Sequence, residues 1–378
     1  MKILFVSMPS VHVTRWIENL KDTDHDMFWF DVMNRGEIKT KTSIHQIIKW
    51  RKRKIPYIKG EYWLSKNHKN IYTKIQSYLE VTANEQLELI IKEINPDIIH
   101  SFEMQECSYP IVKTMNKYPN INWLYSCWGS DLYYFKDFKE HRLKIKQVLD
   151  RINFLHTDCM RDVELAKQLG FKGKHLGVIP GGAGYKLDEF EVFKLPFNTR
   201  KIILIKGYEH LFGRALNVIK ALEQIKDELR DYELVVFGAH ENVITYIKEH
   251  NLPINFYSRH ELSHTKLMEL MGKSLVYIGN SISDGMPNTL LEAIIMGVFP
   301  IQSNPGGVTE EIIINNSNGC LIENPEDIDL IKKKILHVLE NKQMIKKALE
   351  LNTTISKNKL DFKINHDKIV EIYNFVNK

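Results

Sequence analysis

The amino-acid sequence predicts an α/β protein made of two Rossmann-like domains, each with a parallel sheet. Short apolar runs rich in β-branched residues alternate with helical patterns along the chain, as they do in parallel sheets covered by helices. The 378 residues exceed what one hydrophobic core usually supports. The alternation restarts after residues 188–200, a charged stretch that contains Pro196 and has no clear period. Two domains joined by this linker are therefore expected.

Twelve segments are predicted to be strands, six before the linker and six after it. The first six are residues 2–7, 27–32, 97–100, 122–126, 154–157 and 174–179, and the second six are 201–206, 233–237, 254–257, 275–278, 299–302 and 320–322. Helical patterns fill the intervals. At 84–94 apolar residues recur on one face, and 214–225, 263–271 and 287–296 are further predicted helices. This order of elements is the one expected for parallel sheets.

Composition excludes several classes of protein. With 43% hydrophobic and 26% charged residues the chain is that of a soluble globular protein, and its net charge of +5 does not by itself imply nucleic acid. No apolar run approaches the ~18–20 residues of a membrane-spanning helix. Residues 2–7 are too short for the core of a signal peptide and are soon followed by Pro9. The dispersed cysteines agree with a cytoplasmic protein whose thiols are free: Cys107, Cys127, Cys159 and Cys320.

The most informative segment is residues 284–292, which read Asp-Gly-Met-Pro-Asn-Thr-Leu-Leu-Glu and follow a predicted strand. Gly285 and Met286 form a turn before a predicted helix. Pro287 suits the first helical position because its missing N–H costs nothing there. The next backbone N–H groups, from Asn288 to Leu290, would then be free to bind an anion at the start of the helix.

Two carboxylates flank this anion site. Glu292 lies about one turn into the helix, where it can accept two hydrogen bonds from a ribose diol beside the anion. Asp284, in the preceding loop, can reach hydroxyl groups on whatever the phosphate carries. Phosphate, ribose and sugar together make a nucleotide-sugar. The alternative is an ordinary loop and helix cap with a solvated glutamate.

Two acidic residues separated by seven others in this setting resemble the Glu-x7-Glu signature of retaining glycosyltransferases with the GT-B fold, above all family four. The similarity to that family extends to further residues, namely 290–293, Gly297, Pro300, 306–310 and 318–321. The first acid here is Asp rather than Glu. The resemblance implies two Rossmann-like domains with parallel sheets facing an interdomain cleft. It places an acceptor-binding domain at 1–190, a nucleotide-sugar-binding domain at 191–360, and a C-terminal helix at 361–378 that returns to the first domain.

Cations and turns complete the expected donor site. Lys206 ends the first strand after the linker, and Arg214 opens the next helix. The resemblance implies that they neutralise the departing diphosphate, a leaving group that preorganised positive charge stabilises. The alternative is that Lys206 is a solvated lysine at a strand end and Arg214 is a surface residue. The resemblance also implies that turns containing Gly238, Ser258 and Arg259 hold the nucleobase, with a UDP-sugar favoured over a GDP-sugar and no cofactor.

Acceptor-side residues are expected in the first half. His12 follows the first strand, where the family has a loop that often contains histidine. Trp128 and Asp131 follow another strand end, and Asp131 is implied to orient an acceptor or sugar hydroxyl. A helix N-cap is the competing interpretation of Asp131. Gly182 lies in a glycine-rich loop similar to the family's Pro-Asn-Gly loop, for which a plain linker turn is the alternative.

A basic and aromatic segment occupies residues 49–74, where nine Lys or Arg residues accompany one acid and several aromatic residues. Such a segment suits an anionic membrane surface or the diphosphate of a polyprenyl-linked acceptor. Its densest part is a run of four cations, Arg51, Lys52, Arg53 and Lys54. A solvated loop is the alternative, and no recognition motif supports nucleic acid.

Two acidic pairs resemble metal motifs, yet no metal site is expected. Asp22 and Asp24 have Asp-x-Asp spacing but lie in the polar turn that a helix–strand connection needs. Asp327 and Asp329 are a still weaker candidate.

The sequence thus predicts a retaining, metal-independent glycosyltransferase with Asp284, Lys206, Arg214 and Asp131 as catalytic candidates. It would transfer sugar from a nucleotide-sugar to a glycan or polyprenyl-linked sugar, as in bacterial surface-polysaccharide synthesis. Its expected location is the cytoplasm, with peripheral contact to the inner face of the plasma membrane. The alternatives are a GT-B-fold sugar-nucleotide epimerase and a non-catalytic component that binds nucleotide-sugar or membrane.

Overall fold

A computed structural model describes residues 1–181 and 183–377 and divides the chain into two compact units. The first unit comprises Met1–Thr157, Asp162–Val178 and the last helix from Lys368 onward. The second unit comprises Asp158–Arg161 and Ile179–Asp367. Both units are built on parallel sheets, so the predicted class of two Rossmann-like α/β domains is confirmed.

The first unit contains, within its described residues, a seven-stranded sheet of order β3-β2-β1-β4-β5-β6-β7, and every pairing is parallel. Its strands are β1 Lys2–Ser7, β2 Asp26–Asp31, β3 His45–Ile47, β4 Ile98–Phe102, β5 Asn122–Cys127, β6 Phe154–Thr157 and β7 Lys174–Val178. The central strands are apolar runs that are buried on both faces, as expected when helices cover both sides of a parallel sheet.

Helices connect these strands. They are α1 Val11–Glu18, α2 Glu61–Asn67, α3 Lys69–Leu79, α4 Ala83–Ile94, α5 Val112–Lys117, α6 Ser130–Tyr133, α7 Lys139–Arg151 and α8 Met160–Gln168. The predicted helix at 84–94 is α4. It starts with a capping box, in which the Thr82 hydroxyl and the Glu85 carboxylate each accept the other residue's backbone N–H.

The strand order of the first sheet places a topological switch point between β1 and β4. From β1 the chain proceeds outward through β2 and β3, and then continues from β4 in the opposite direction. Ligands of open α/β sheets bind outside the carboxyl ends of the strands at such a point. Because β1, β4 and β5 are neighbours, the residues that follow them emerge at one edge of the sheet.

The second unit repeats this plan with a six-stranded parallel sheet, within its described residues, of order β10-β9-β8-β11-β12-β13. The strands are β8 Ile202–Lys206, β9 Glu233–Ala239, β10 Ile254–Ser258, β11 Ser274–Gly279, β12 Phe299–Ser303 and β13 Cys320–Ile322. The helices are α9 Asp188–Glu191, α10 Ala215–Gln224, α11 Glu241–Glu249, α12 His264–Lys273, α13 Asn288–Ile295, α14 Ile328–Glu340 and α15 Lys342–Ile355. Its switch point lies between β8 and β11.

The last helix, α16 Phe362–Val376, contributes to the first unit from Lys368 onward. Within that unit the hydroxyl of Tyr373 accepts a hydrogen bond from Nε1 of Trp16 at 2.8 Å and contacts Nδ1 of His100 at 2.6 Å. All three side chains are buried. None of the described helices is both long and apolar enough to span a bilayer.

All twelve predicted strands are present, with ends within two residues of the predicted ones. The short strand β3 was not predicted. A second correction concerns Pro287, which is the N-cap residue of α13 rather than its first helical residue.

Candidate active site

The donor-side candidates of the second unit lie around the start of α13. Pro287 ends the preceding loop in an extended conformation, and the helix begins at Asn288. The N–H of Leu290, expected to be free, donates to the Pro287 carbonyl at 3.0 Å, so the anion site must rely on the helical residues before it. The loop itself is fixed because the backbone N–H of Met286 donates to the Asp158 carboxylate at 3.0 Å.

The side chain of Thr289 is hydrogen-bonded to the sheet. Its Oγ1 lies 2.9 Å from the hydroxyl of Tyr277, a fully buried residue of β11. Burial raises the pKa of the Tyr277 hydroxyl, so this group stays neutral. One hydrogen bond therefore fixes the loop before α13, and another fixes the first turn of α13 against the sheet.

The charged pair of the site joins the two strands of the switch point. Lys206 ends β8, Asp284 follows β11, and Nζ of Lys206 lies 3.8 Å from Oδ2 of Asp284. The lysine side chain is 17% exposed and the aspartate side chain 32% exposed, so both remain accessible to a ligand. Oδ1 of Asp284 accepts the N–H of Gly285 at 3.0 Å. The structure thus brings together a cation and an acid that are far apart in the sequence.

Arg214 has a different environment from Lys206. It is the N-cap residue of α10, and its Nε lies 3.2 Å from Oε1 of Glu326. Its Nη1 also donates to the carbonyls of Gly213 and His210, at 2.8 and 3.2 Å. The guanidinium therefore fixes the loop that follows β8, whereas Lys206 is the cation beside Asp284.

Glu292 is buried inside the first turns of α13, with 3% of its surface exposed. Its Oε1 lies 2.8 Å from Nε2 of His264, the first residue of α12. A buried carboxylate is costly unless it is paired, so this contact stabilises Glu292 in the free protein. His264 was not predicted as a site residue.

Two of the three turn residues expected near the nucleobase, Gly238 and Arg259, lie close to the aromatic side chain of Tyr208. Gly238 adopts a φ of +62°, and a Cβ at this position would lie 2.7 Å from the Tyr208 ring. The Arg259 guanidinium lies 5.9 Å from the centre of the Tyr208 ring, and Nζ of Lys206 lies 4.8 Å from the same ring centre. The backbone N–H and hydroxyl of Ser258 both donate to the Glu261 carboxylate, at 2.7 and 2.9 Å.

The acceptor-side candidates of the first unit follow neighbouring strands of its sheet. The rings of His12 and Trp128 lie 5.2 Å apart between centroids. Asp131 is 4% exposed, and its carboxylate contacts the Tyr125 hydroxyl at 2.5 Å, the Cys127 thiol at 3.2 Å and the Trp128 N–H at 3.0 Å. Burial raises the pKa of this carboxyl to about 6.

The competing interpretation of Asp131 as a helix N-cap does not hold. The N-cap residue of α6 is Gly129, with a φ of +89°, and Asp131 lies inside the first turn. Gly182, the remaining acceptor-side candidate, lies outside the described residues. Its neighbour Gly181 approaches α13 so closely that a Cβ would collide with the Asn288 side chain.

Comparison with known families now decides the classification. Residues 189–359 match the family described as glycosyl transferases group 1, and residues 2–160 match the family described as glycosyl transferase 4-like. The chain is a group 1 glycosyltransferase. No curated protein matches it significantly.

Solved structures agree with this classification at the level of the fold. A glycosyltransferase from Rickettsia africae is 20% identical, with a TM-score of 0.66 over 100% of this chain and 98% of that one. Sucrose-phosphate synthase from Thermosynechococcus elongatus is 14% identical, with a TM-score of 0.74 over 100% and 99%. Anabaena HepE in complex with UDP-glucose is 12% identical, with a TM-score of 0.66 over 99% and 100%. The predicted GT-B fold is therefore confirmed.

Sequence reasoning missed a second cation beside the donor-side acid of this glycosyltransferase. Nη2 of Arg161 donates to the backbone carbonyl of Asp284 at 2.9 Å, and Nη1 donates to the carbonyl of Pro305 at 2.7 Å. The Arg161 N–H also donates to the Glu311 carboxylate at 2.9 Å. Arg161 belongs to the second unit although it precedes the linker. No sequence signal marks it, because its partners are more than 120 residues away.

The basic-aromatic segment, residues 49–74, is a loop only in its first half, since its second half consists of α2 and the start of α3. Two of its four clustered cations are engaged within the first unit. Nη2 of Arg53 lies 2.8 Å from Oε2 of the buried Glu61, and Nζ of Lys54 lies 2.6 Å from Oε1 of Glu85. Arg53 and Lys54 are therefore structural, which corrects their assignment to a free cationic surface.

Arg51 and Lys52 remain exposed, and the Arg51 guanidinium lies 5.2 Å from the ring centre of Trp50. Three aromatic residues of the segment are unusually exposed, with relative exposures of 80% for Tyr57, 78% for Tyr62 and 58% for Trp63. Tyr62 and Trp63 on α2, and Tyr57 shortly before it, thus present exposed aromatic rings.

The acidic pairs with metal-like spacing have ordinary surroundings. Asp22 is highly exposed and lies 3.7 Å from the Lys21 ammonium. Asp327 caps α14 by accepting the Leu330 N–H at 2.9 Å, and Asp329 pairs with the Lys332 ammonium at 2.7 Å.

Proposed function

We propose that this glycosyltransferase is a retaining enzyme that moves a sugar from a nucleotide-sugar, preferably a UDP-sugar, to a glycan or polyprenyl-linked sugar. The observation that carries the proposal is the Lys206–Asp284 pair beside the start of α13, with the carboxylate of Glu292 buried about one turn further along. Structures such as Anabaena HepE with UDP-glucose support the choice of nucleotide.

The proposal assigns each part of the donor to named groups of the site. The diphosphate binds the N–H groups at the start of α13 and the ammonium of Lys206, because both present positive charge. Asp284 accepts hydrogen bonds from hydroxyl groups of the transferred sugar. Glu292 accepts hydrogen bonds from the ribose, and His264 moves aside or shares the carboxylate.

The reaction follows from these contacts. The bond from the anomeric carbon to the phosphate oxygen breaks while a bond to the acceptor oxygen forms on the same face of the sugar. The acceptor proton passes to the departing phosphate oxygen, so no side-chain base is needed. Lys206 and the helix start stabilise the charge that develops on the diphosphate.

A peripheral position on the cytoplasmic face of a membrane is part of the proposal. The exposed rings of Tyr57, Tyr62 and Trp63 and the cations Arg51 and Lys52 support it, since aromatic side chains favour the membrane interface and cations favour anionic lipid. A polyprenyl-linked acceptor would be presented there, as in the synthesis of bacterial surface polysaccharides.

Incubation with radiolabelled nucleotide-sugars and a bacterial lipid extract tests the proposal. Transfer of label to a lipid or glycan with retained configuration is the expected result. Epimerised donor would support a sugar-nucleotide epimerase instead, and binding without turnover would support a non-catalytic assembly component.

Metal independence is a separate prediction. Because cationic side chains and helix N–H groups are assigned to the diphosphate, excess EDTA should leave the rate of transfer nearly unchanged. Loss of transfer that Mn²⁺ or Mg²⁺ restores would contradict this part of the mechanism and direct attention to acidic groups such as Asp22 and Asp24.

A further inference from the structure

Glu103 occupies the central position at the carboxyl edge of the first sheet. It directly follows β4, the strand between β1 and β5 and beside the topological switch point. His12 follows β1, and Trp128 and Asp131 follow β5. Side chains that follow three adjacent strands therefore lie at one edge of the sheet. The sequence predicted those after β1 and β5 as site residues but not Glu103, which follows β4.

The backbone of Glu103 is strained. Its φ is +69° and its ψ is 146°, a combination that residues with a Cβ rarely adopt. Backbone strain of this kind persists only where surrounding contacts enforce it, and it is concentrated at functional sites. Here the Glu103 N–H donates to the Ser126 carbonyl at 3.1 Å, and its carbonyl accepts the Ser108 hydroxyl at 2.8 Å.

The strained backbone fixes the carboxyl group in one orientation. Oε1 accepts the N–H of Gln105 at 2.9 Å, and Oε2 accepts the N–H of Glu106 at 2.6 Å. Each oxygen keeps a second lone pair, and the residue is only partly buried. Capping alone does not explain this arrangement, because Ser, Asp or Asn caps a helix start with an ordinary φ.

The environment also favours the neutral form of this carboxyl. Burial, reinforced by the nearby charge of Asp131, raises the pKa of Glu103 to about 8. A neutral carboxyl both donates and accepts hydrogen bonds, as sugar hydroxyl groups do.

We propose that Glu103 binds hydroxyl groups of the sugar acceptor, with the half-buried Trp128 offering a ring face to the same sugar. This inference rests on the proposed function and names a residue that selects the acceptor. Because Glu103 is held rigidly by two backbone N–H groups, its contact with the acceptor needs little reorganisation.

Variants Glu103→Gln and Glu103→Gly test the inference through acceptor KM, kcat, donor hydrolysis, UDP affinity and thermal stability. Glu103→Gln should raise acceptor KM by at least about tenfold, because an amide nitrogen cannot accept the Glu106 N–H as Oε2 does, and the side chain then loses its fixed orientation toward the acceptor. UDP affinity and slow donor hydrolysis should stay at the wild-type level. Glu103→Gly should lose acceptor use equally while keeping its Tm, because glycine adopts this φ without strain.

The matched control is Glu106→Gln, an acid three residues away whose carboxylate pairs with Arg35 at 2.9 Å. It should leave acceptor KM unchanged. If both folded Glu103 variants keep the wild-type acceptor KM, or if their UDP affinity falls in parallel with acceptor use, acceptor binding by Glu103 is refuted while the proposed function stands. A wild-type protein that neither binds UDP nor turns over a nucleotide-sugar would refute the proposed function, and this inference with it.

Discussion

The switch points of the two sheets share a topology but differ in chemistry. At the second sheet the strand ends present an accessible ion pair, Lys206 with Asp284, beside the start of a helix. At the first sheet they present two carboxyl groups, Glu103 and Asp131, and the half-buried side chain of Trp128. The difference indicates two kinds of ligand, since a diphosphate needs fixed positive charge whereas neutral hydroxyl groups need only hydrogen-bonding partners.

The largest expected effect comes from removing the charge that distinguishes the second sheet. Lys206→Ala should lower kcat by about 100-fold or more, because the leaving diphosphate loses a preorganised cation. Single-turnover and steady-state transfer assays measure it. Lys273→Ala, which removes an exposed lysine at the end of α12, is the control. A Lys206→Ala rate within threefold of wild type would contradict the assignment of charge to this edge.

A second test breaks the uncharged network of the first unit. Trp16 can only donate, so its Nε1–H donates to the Tyr373 oxygen, and the same hydroxyl is hydrogen-bonded to Nδ1 of His100. Tyr373→Phe leaves the buried Trp16 N–H and the buried His100 ring nitrogen without this partner, so the free energy of unfolding should fall by about 2 kcal/mol. Urea denaturation measures this change.

Tyr78→Phe is the matched control, because Tyr78 is 76% exposed. UDP affinity should be the same in wild type and both variants. A Tyr373→Phe protein as stable as wild type would contradict a stabilising role of these hydrogen bonds. Weakened UDP binding by this variant would contradict a role confined to stability.

A third test concerns the nucleoside end of the donor site. Glu292→Ala should weaken UDP binding by about tenfold, because the ribose loses its hydrogen-bond acceptor. Isothermal titration calorimetry measures the affinity, with the exposed Glu241→Ala as control. The acceptor KM at saturating donor should not change, in contrast to the Glu103 variants. Equal UDP affinity in Glu292→Ala and wild type would remove the ribose role.

The smallest expected effect concerns the outer surface of the first unit. The double variant Tyr62→Ser/Trp63→Ser should bind anionic liposomes several-fold more weakly, because it removes two exposed rings from α2. Liposome sedimentation measures it, and wild-type binding should also weaken as salt screens the cations. Val192→Ser, which changes an 81% exposed residue of the second unit, is the control. Sedimentation equal to wild type would make the basic-aromatic segment only a solvated surface.

The strands could be predicted from the sequence because buried parallel strands are continuous apolar runs whatever their partners. The strand β3 could not, since His45-Gln46-Ile47 is short, lies at the edge of the sheet and has only one apolar residue. The donor loop was also predictable. Residues 284–292 form one continuous loop and helix after β11, so the spacing of Asp284, Pro287 and Glu292 in the chain corresponds to their spacing in the structure.

Sequence alone therefore determined the fold class, the family resemblance and the segment at the start of α13, because each depends on residues that are local in the chain. Only the tertiary structure decided which cation accompanies Asp284, that His264 pairs with Glu292, and that Arg161 supports the donor loop. It also revealed Glu103, whose significance lies in a backbone conformation and in the order of strands. These features depend on how parallel strands are ordered, and local spacing does not encode that order.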